Sequence, residues 1–436
     1  MIFSLDVIRA RKGDCLILHY GSKDDPHMVM IDGGPRGVYV PHLRGRIEQI
    51  RAARNLEDNE SLVVDLLMVS HVDDDHIRGI LDLTRELREA KMEGNPQLVN
   101  VLLGMWHNSF ENIIDHTPVD LTKVFKSQFG AASMDGDPPE DLALDDDDDD
   151  ELDAETVLSS LKVLQSIEQG AQLRTDADNL GLSLNPFFEE TKLIFAQGKN
   201  SVPMDNGLTF TVVGPMLPEL NALRKKHQQW LKDLEKEGKS PAEVLAAYVD
   251  KSVPNLSSIV VLAEVQEKTM LLTGDALGKK VLQGLELVEL VEPGGKLHVD
   301  ILKVPHHGSS NNVARDFFER ITADHYVFSG NGEHGNPERE SLEMLLEVRG
   351  DEDYAVHVTY PIDVIDAGRE ADWKKEQAKE KKKKETKPEK EVRPDWSPSE
   401  HSIASFLEEN PSFAKKISIV PDGEPYLIDL LEEVEA

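Results

Sequence analysis

Hydrophobic and polar residues alternate in short blocks at the start of the chain. IFSLDVIRA, CLILHYG and MVMIDGG are separated by the turn-forming groups Lys12-Gly13-Asp14 and Lys23-Asp24-Asp25-Pro26. Blocks of this length, bounded by Gly, Pro and Asp, predict a strand meander. A helix-like stretch from His42 to Arg54 comes next. The apolar run LVVDLLMV, short enough for a buried strand, follows it, with HVDDDH directly after. Ile77 to Glu93 has helical periodicity, Leu98 to Leu103 reads as a strand, and Met105-Trp106-His107-Asn108 lies just beyond. The pattern returns later in the chain. Leu208 to Val213 precedes Gly214-Pro215, Ser258 to Val265 and Thr269 to Thr273 close on Gly274-Asp275, and Val299 to Val304 closes on Pro305-His306-His307-Gly308. A strand followed at once by a metal-competent residue is the recurring unit, and strands mixed with helical stretches predict an α/β fold.

Between these blocks the character changes. Asp145 to Asp150 is an unbroken acidic tract that cannot pack without neutralisation, so the region around it reads as an insertion with a disordered loop and a helix candidate at Leu158 to Ile167. Leu220 to Gly238 reads as a charged surface helix. Trp373 to Pro394 holds ten basic and five acidic residues, the composition of a tether or a solvated helix. From His401 to Glu433 there are enough apolar residues for a helix and a short strand or helix, a tail that could dock on the main domain or on a partner. The expected organisation is one domain in two halves, 1–130 and 201–362, interrupted by the acidic insertion 131–200. A charged linker, 363–400, and a small C-terminal extension, 401–436, follow.

A chain of 436 residues with 39% hydrophobic content can build a sizeable core. No apolar run approaches the roughly 20 residues of a membrane helix. The opening MIFSLDVIRARKGD lacks the basic start and long apolar stretch of a secretory signal. With Cys15 as the single cysteine no intrachain disulfide can form, so a cytoplasmic location away from membranes is expected. The formal charge of −34 disfavours non-specific nucleic-acid binding. Residues 135–155 hold 13 acidic and no basic side chains, yet without them the charge is still −21, so the acidity is general.

HVDDDH supplies His71, Asp73, Asp75 and His76 within six residues. Imidazoles and carboxylates are the ligands that hold Zn²⁺ or Mn²⁺ while leaving room for water. A tight loop after the strand lets His71 and Asp73 approach one metal while Asp75 and His76 turn to a second. Three aspartates alone would read as a solvated loop, but histidines at both ends, directly after a buried strand, favour the metal.

SHVDDDHIRGI resembles the HxHxDH signature of metallo-β-lactamase-fold hydrolases, in the HxDxDH form of the soluble domain of ComEC-type competence proteins. GDCLILHYG with MVMIDGG looks like that family's opening strands, SSIVVLAEVQEKTMLLTGDA like its GD motif, and ILKVPHHGSS like its HHGS motif. FSGNGEHGNPERESL resembles the segment that usually follows, with Gly335 and Asn336 intervening where the family pairs His with Pro. The order holds over roughly residues 1 to 360 apart from the insertion. The resemblance implies an αββα sandwich carrying the acidic insertion and the C-terminal extension. It implies that His71, Asp73 and His107 hold one metal, and that Asp75, His76 and a histidine of HHGS, with His306 favoured, hold the other, Asp275 bridging them. Asp75 is then also central to catalysis, Asp32 orients a ligand histidine, and His307 stands behind the metal or faces substrate. His334 reads as a surface-loop histidine, while Ser309, Asn311 and Asn312 could bond substrate or cap a helix.

Two Zn²⁺ or Mn²⁺ ions held this way activate water for hydrolysis, and an aspartate in the first site also admits Mg²⁺. The implied activity is that of a phosphodiesterase or nuclease-like hydrolase acting on nucleic acid or a nucleotide. The alternatives are a hydrolase of thioesters, lactones, lactams or peptides, and a subunit active only with a protein partner recruited by the acidic insertion or the C-terminal tail.

Overall fold

The computed structural model describes residues 1–108, 168–198, 201–221, 225, 257–386, 389 and 391–434. The acidic tract Asp145–Asp150, the helix candidate Leu158–Ile167 and most of Leu220–Gly238 lie outside them.

The chain folds as mixed α/β, with two mixed sheets. The strands are β1 (Ile2–Val7), β2 (Leu16–Gly21), β3 (Pro26–Ile31), β4 (Leu62–Met68), β5 (Val99–Trp106), β6 (Ser201–Pro203), β7 (Leu208–Gly214), β8 (Val260–Val265), β9 (Lys268–Leu272), β10 (Leu297–Lys303), β11 (Ile321–Phe328), β12 (Ala355–Val358), β13 (Ile417–Ile419) and β14 (Leu427–Asp429). One sheet has six strands in the order β14-β1-β2-β3-β4-β5, and the other has eight in the order β13-β12-β11-β10-β9-β8-β7-β6. Each opens with antiparallel hairpins and turns parallel: β3, β4 and β5 run together in the first, β9 to β13 in the second.

Three packed cores explain why so many strand positions are apolar on both faces. Phe3, Leu5, Val29 and Ile31 meet Phe210, Val261, Ile301 and Val327 between the sheets. On the outer face of the six-stranded sheet, Ile17, Met28, Met30 and Leu67 are covered by Ile47 and Ile50 of α1 (Gly45–Ala53). Ile77, Ile80, Leu83 and Leu87 of α2 (Asp74–Glu93) and Leu173 of α3 (168–180) complete that cover. The outer face of the other sheet packs against Val281 and Leu285 of α4 (Gly278–Leu287), Phe317 of α5 (Arg315–Arg320) and Leu345 of α6 (Arg339–Arg349). A fully buried side chain of this size contributes roughly 1.5–3 kcal/mol over its exposed state.

One close approach fixes α2 against the end of β3. A Cβ on Gly79 would stand 1.9 Å from the carbonyl oxygen of Gly33, and one on Gly33 would stand 2.5 Å from the backbone nitrogen of Ile80, so no side chain fits at either position. Gly33 N donates to His76 O at 2.7 Å in the same contact.

Part of the charged stretch is helical, and the tail docks on the main domain. Ile362–Thr386 is one long helix, α7, and the chain folds back along it, with Trp373 Nε1 donating to Pro394 O at 2.9 Å and Gln377 Nε2 to Arg393 O at 3.0 Å. Ile403 and Phe406 of α8 (Ile403–Glu409), with Phe413, enter the outer core, while Val420 and Ile428 enter the core between the sheets. β13 and β14 add the outermost strand to one side of each sheet. Residues 401–436 look peripheral in sequence because their strands are three residues each, too short for a periodic signal.

Candidate metal centre

The candidate residues sit at strand ends or in the turns that follow. Asp32 follows β3, His71 lies just after β4, Asp75 and His76 open α2, His107 follows β5, Asp275 lies after β9, and His306 and His307 follow β10. The C-terminal edge of parallel strands is where side chains from several strands can converge. Ile259 N donates to Ser70 O at 2.8 Å and His306 N to Gly274 O at 3.0 Å, holding these strand-end turns together beneath the site.

Asp275 stands at the centre. Its Oδ1 is 3.1 Å from His76 Nε2 and 3.4 Å from His307 Nε2, and its Oδ2 is 3.7 Å from His306 Nε2. Asp75 reaches the same two rings, Oδ1 at 3.9 Å from His76 Nε2 and Oδ2 at 3.7 Å from His307 Nε2. Beside them His71 Nε2 faces Asp73 Oδ2 at 3.1 Å, its ring 5.5 Å from that of His76. Asp73 is the N-cap of α2 but its side chain accepts no capping bond, which leaves the carboxylate to face His71.

These contacts lack hydrogen-bond geometry. Both ring nitrogens of His71, Nε2 of His76 and of His307, and Oδ1 of Asp275 are buried with no hydrogen-bond partner. Buried polar atoms are nearly always paired, so several orphans aimed at one place call for an occupant. Donor atoms around a tetrahedral metal, with bonds of about 2.0–2.1 Å, stand about 3.3 Å from one another. The residues present fit a divalent metal.

The backs of the rings are fixed by a repeated device. His76 Nδ1 donates to Asp32 Oδ2 at 2.9 Å, and Asp32 also accepts from Ser70 N at 2.7 Å and Ser70 Oγ at 2.5 Å. Behind His307, Nδ1 donates to Ser329 Oγ at 2.9 Å and Ser329 Oγ donates in turn to Asp14 Oδ1, which lies 3.3 Å from the ring nitrogen, while Asp14 Oδ2 lies 2.7 Å from Lys303 Nζ. One donor atom from each of Asp14, His76, Asp275 and His307 lies within 4.8 Å of the others. Asp14 nevertheless stands on the Nδ1 side of the rings with both oxygens engaged, so it orients His307.

Burial opposes charge throughout this centre, and neighbours decide the outcome. Burial would push the His76 imidazole down, but Asp275, Asp32 and Asp75 hold it well above its ordinary value. His307, likewise opposed by burial, is pushed up to about 9 by Asp14 and Asp275. His71 is raised against burial by Asp73 and Asp275. Burial would raise the Asp275 and Asp75 carboxyls, yet the histidines around them hold both well below the usual range. The chain has gathered buried negative charge that positive charge must balance.

His107 is placed differently. Asn185 grips its backbone, with Oδ1 accepting from His107 N at 2.8 Å and Nδ2 donating to His107 O at 3.0 Å. Both its ring nitrogens are buried without a hydrogen-bond partner, and burial, helped by the Arg174 charge, holds its imidazole down to about 4. Among the described residues no ion pair or ring contact joins it to the Asp275 group. Asn312 Nδ2 donates to Asp275 O at 3.3 Å and so helps hold that turn, while His334 is exposed on a loop.

Sequence reasoning missed Asp14, Lys303 and Ser329. Asp14 reads as the end of a turn. Lys303 carried a usable signal, since a charge inside the apolar run from Val299 to Val304 needs a buried partner, but nothing local says which.

No known family's sequence profile matches this chain. It is 42% identical over 55 residues to microtubule-associated protein 1A of Rattus norvegicus, a stretch covering 12% of this chain and 2% of that protein. It is 39% identical over 74 residues to the microtubule-associated protein futsch of Drosophila melanogaster, covering 16% and 1%. The chain therefore spans a very small part of these relatives, and the matches carry no argument about fold or function.

Proposed function

We propose that this chain is a metallo-β-lactamase-fold hydrolase with a dinuclear Zn²⁺ or Mn²⁺ centre that cleaves phosphodiesters. The observation that carries the reading is the set of buried, partnerless donor atoms of His71, His76, His307 and Asp275. In this reading Asp75, His76 and His307 would hold one cation, His71 and Asp73 the other with His107 as the further candidate, and Asp275 would serve both sets. The roles of His306 and His307 are the reverse of the sequence expectation. His307 is buried with Nε2 toward Asp75 and Asp275, whereas the His306 side chain is 29% exposed and so faces the substrate side.

Bound divalent cations supply charge stabilisation at phosphorus and acidify water. The chain's own residues do the rest. Asp32 keeps the Nδ1 proton of His76, and Ser329 backed by Asp14 that of His307, on the far side of each ring, presenting Nε2 forward. Asp75 and Asp275, kept ionised by the histidines around them, would accept a hydrogen bond from the attacking water and orient it. His306 is the histidine at the mouth, placed to bond the leaving oxygen.

Metal analysis after Zn²⁺ or Mn²⁺ reconstitution should give close to two ions per chain, and the protein should hydrolyse bis-p-nitrophenyl phosphate or single-stranded oligonucleotides. His71→Ala and Asp75→Ala should lose at least a hundredfold in kcat/KM with unchanged circular dichroism. Turnover of a thioester, lactone or lactam with no phosphodiester cleavage would replace this substrate class, and stoichiometry well below one would end the dinuclear reading.

A further inference from the structure

We propose that Lys12 and His334 form an anion subsite at the mouth of the centre, taking a phosphate of the substrate other than the one being cleaved. This deepens the phosphodiesterase reading and rests on it for the identity of the substrate.

Lys12 Nζ lies 3.2 Å from His334 Nε2, although the two residues are 322 positions apart. Each is carried by a loop seated on a metal-centre segment. The turn bearing Lys12 is closed by Gly13 N donating to Ala10 O at 2.9 Å, and it rests on α2 through Asp14 N donating to Asp75 O at 3.2 Å. A Cβ on Gly13 would fall 1.8 Å from Asp75 O, so this turn reaches α2 only because residue 13 is glycine. The loop bearing His334 is held by Gly332 N donating to Asn336 O at 2.9 Å and Gly335 N to Gly332 O at 3.0 Å. It rests on the His306–Gly308 turn through Glu338 N donating to Gly308 O at 3.1 Å and Asn336 Nδ2 to His306 O at 3.4 Å. The two halves of the chain thus bring a lysine and a histidine together on loops whose neighbouring residues bond the backbone of Asp75 and of His306.

Two of the neighbouring carboxylates carry partners besides Lys12. Arg11 Nη2 lies 3.1 and 3.3 Å from the two oxygens of Glu333, whose Oε1 also accepts from Asn331 Nδ2 at 2.8 Å. Asp74 Oδ1 is 3.3 Å from Arg78 Nε and accepts from Gln169 Nε2 at 3.2 Å. An ammonium and an imidazole side by side become two converging donors when the imidazole is protonated and an anionic oxygen arrives. In a chain of net charge −34, attraction for a phosphate has to be built locally, and this is a place where the rim does so.

The test compares thymidine dinucleotides with and without a terminal 5′-phosphate. The wild type should prefer the phosphorylated form about tenfold in KM, and Lys12→Ala and His334→Ala should each bring that ratio toward one. A ratio unchanged in both variants would overturn the subsite, as would equal losses on the two substrates, which would mean a merely structural role. Binding is measured separately by titrating the phosphorylated dinucleotide into chelator-treated, catalytically silent wild-type and Lys12→Ala protein. Lys12-dependent binding without turnover of any phosphodiester would keep the subsite and remove the phosphodiesterase reading. Binding indifferent to Lys12 would remove the subsite and leave that reading intact.

Discussion

His76 and His307 are each backed by a serine and a carboxylate, but Asp32 bonds His76 directly with Ser70 donating to it, whereas Ser329 stands between His307 and Asp14. The two arrangements differ in a further respect. Asp14 also faces Lys303, which is 1% exposed and donates to Val304 O at 3.1 Å. Removing one member of a buried ion pair strands the other, at about 3–5 kcal/mol. Lys303→Met should therefore lower the urea unfolding free energy by about that amount, and adding Asp14→Asn should return much of it. A single-variant loss under about 1 kcal/mol would mean that the pair is not what holds Asp14 in place. The difference between the two devices also shows what sequence could convey. Asp32 was readable because MVMIDGG ends a strand in a resembling order, whereas Asp14 lies hundreds of positions from Lys303 and Ser329 and meets them only once both sheets exist.

At the scale of elements, strands that end in metal-competent residues were legible, since apolar blocks bounded by Gly, Pro and Asp are a local pattern. The C-terminal strands were not, because β13 and β14 are defined by the neighbours they pair with. The seam they close carries its own chemistry. His357 of β12 is 6% exposed, its Nε2 lies 3.0 Å from His325 Nδ1, and its Nδ1 lies 2.8 Å from the hydroxyl of Tyr426, just before β14. Burial, with His325 beside it, pushes the His357 imidazole down to about 3. Between an unfolded value of about 6.5 and this folded one, the unfolded chain binds a proton that the folded chain does not. Stability from this group is therefore full above about pH 6.5 and is lost as pH falls toward 3, by up to about 1.4 kcal/mol per unit. His357→Gln should make unfolding free energy fall less steeply between about pH 6 and 4 than in the wild type, by about 1 kcal/mol per unit. Parallel slopes in chemical denaturation would show that His357 protonates without cost to the fold.

For the whole molecule, the centre is also a joint. Asp32, His71, Asp75 and His76 come from the first sheet and α2, while Asp275, His306 and His307 come from the second sheet, and Asp275 approaches His76 across the gap. This explains why the sequence could name the segments yet not show which histidine of Pro305-His306-His307-Gly308 faces inward, a matter decided by how the two sheets stack. In the proposed reading it also ties stability to cations, since a group bound by both sheets would have to be released when they part. A ligand at a hundred times its dissociation constant stabilises the state it binds by about 2.7 kcal/mol, and about 1 kcal/mol moves the midpoint of a large domain by roughly 2–4 °C. Adding a chelator should therefore lower Tm by roughly 5–10 °C, and readding Zn²⁺ or Mn²⁺ should restore it. Asp275→Ala, which removes the carboxylate between the two halves, should be insensitive to both treatments. His334→Ala, outside the joint, should respond as the wild type does. A wild-type Tm indifferent to chelator, in protein whose metal content is shown to fall, would mean that the cations do not bind across the sheets and that the stacking is held by the apolar core alone.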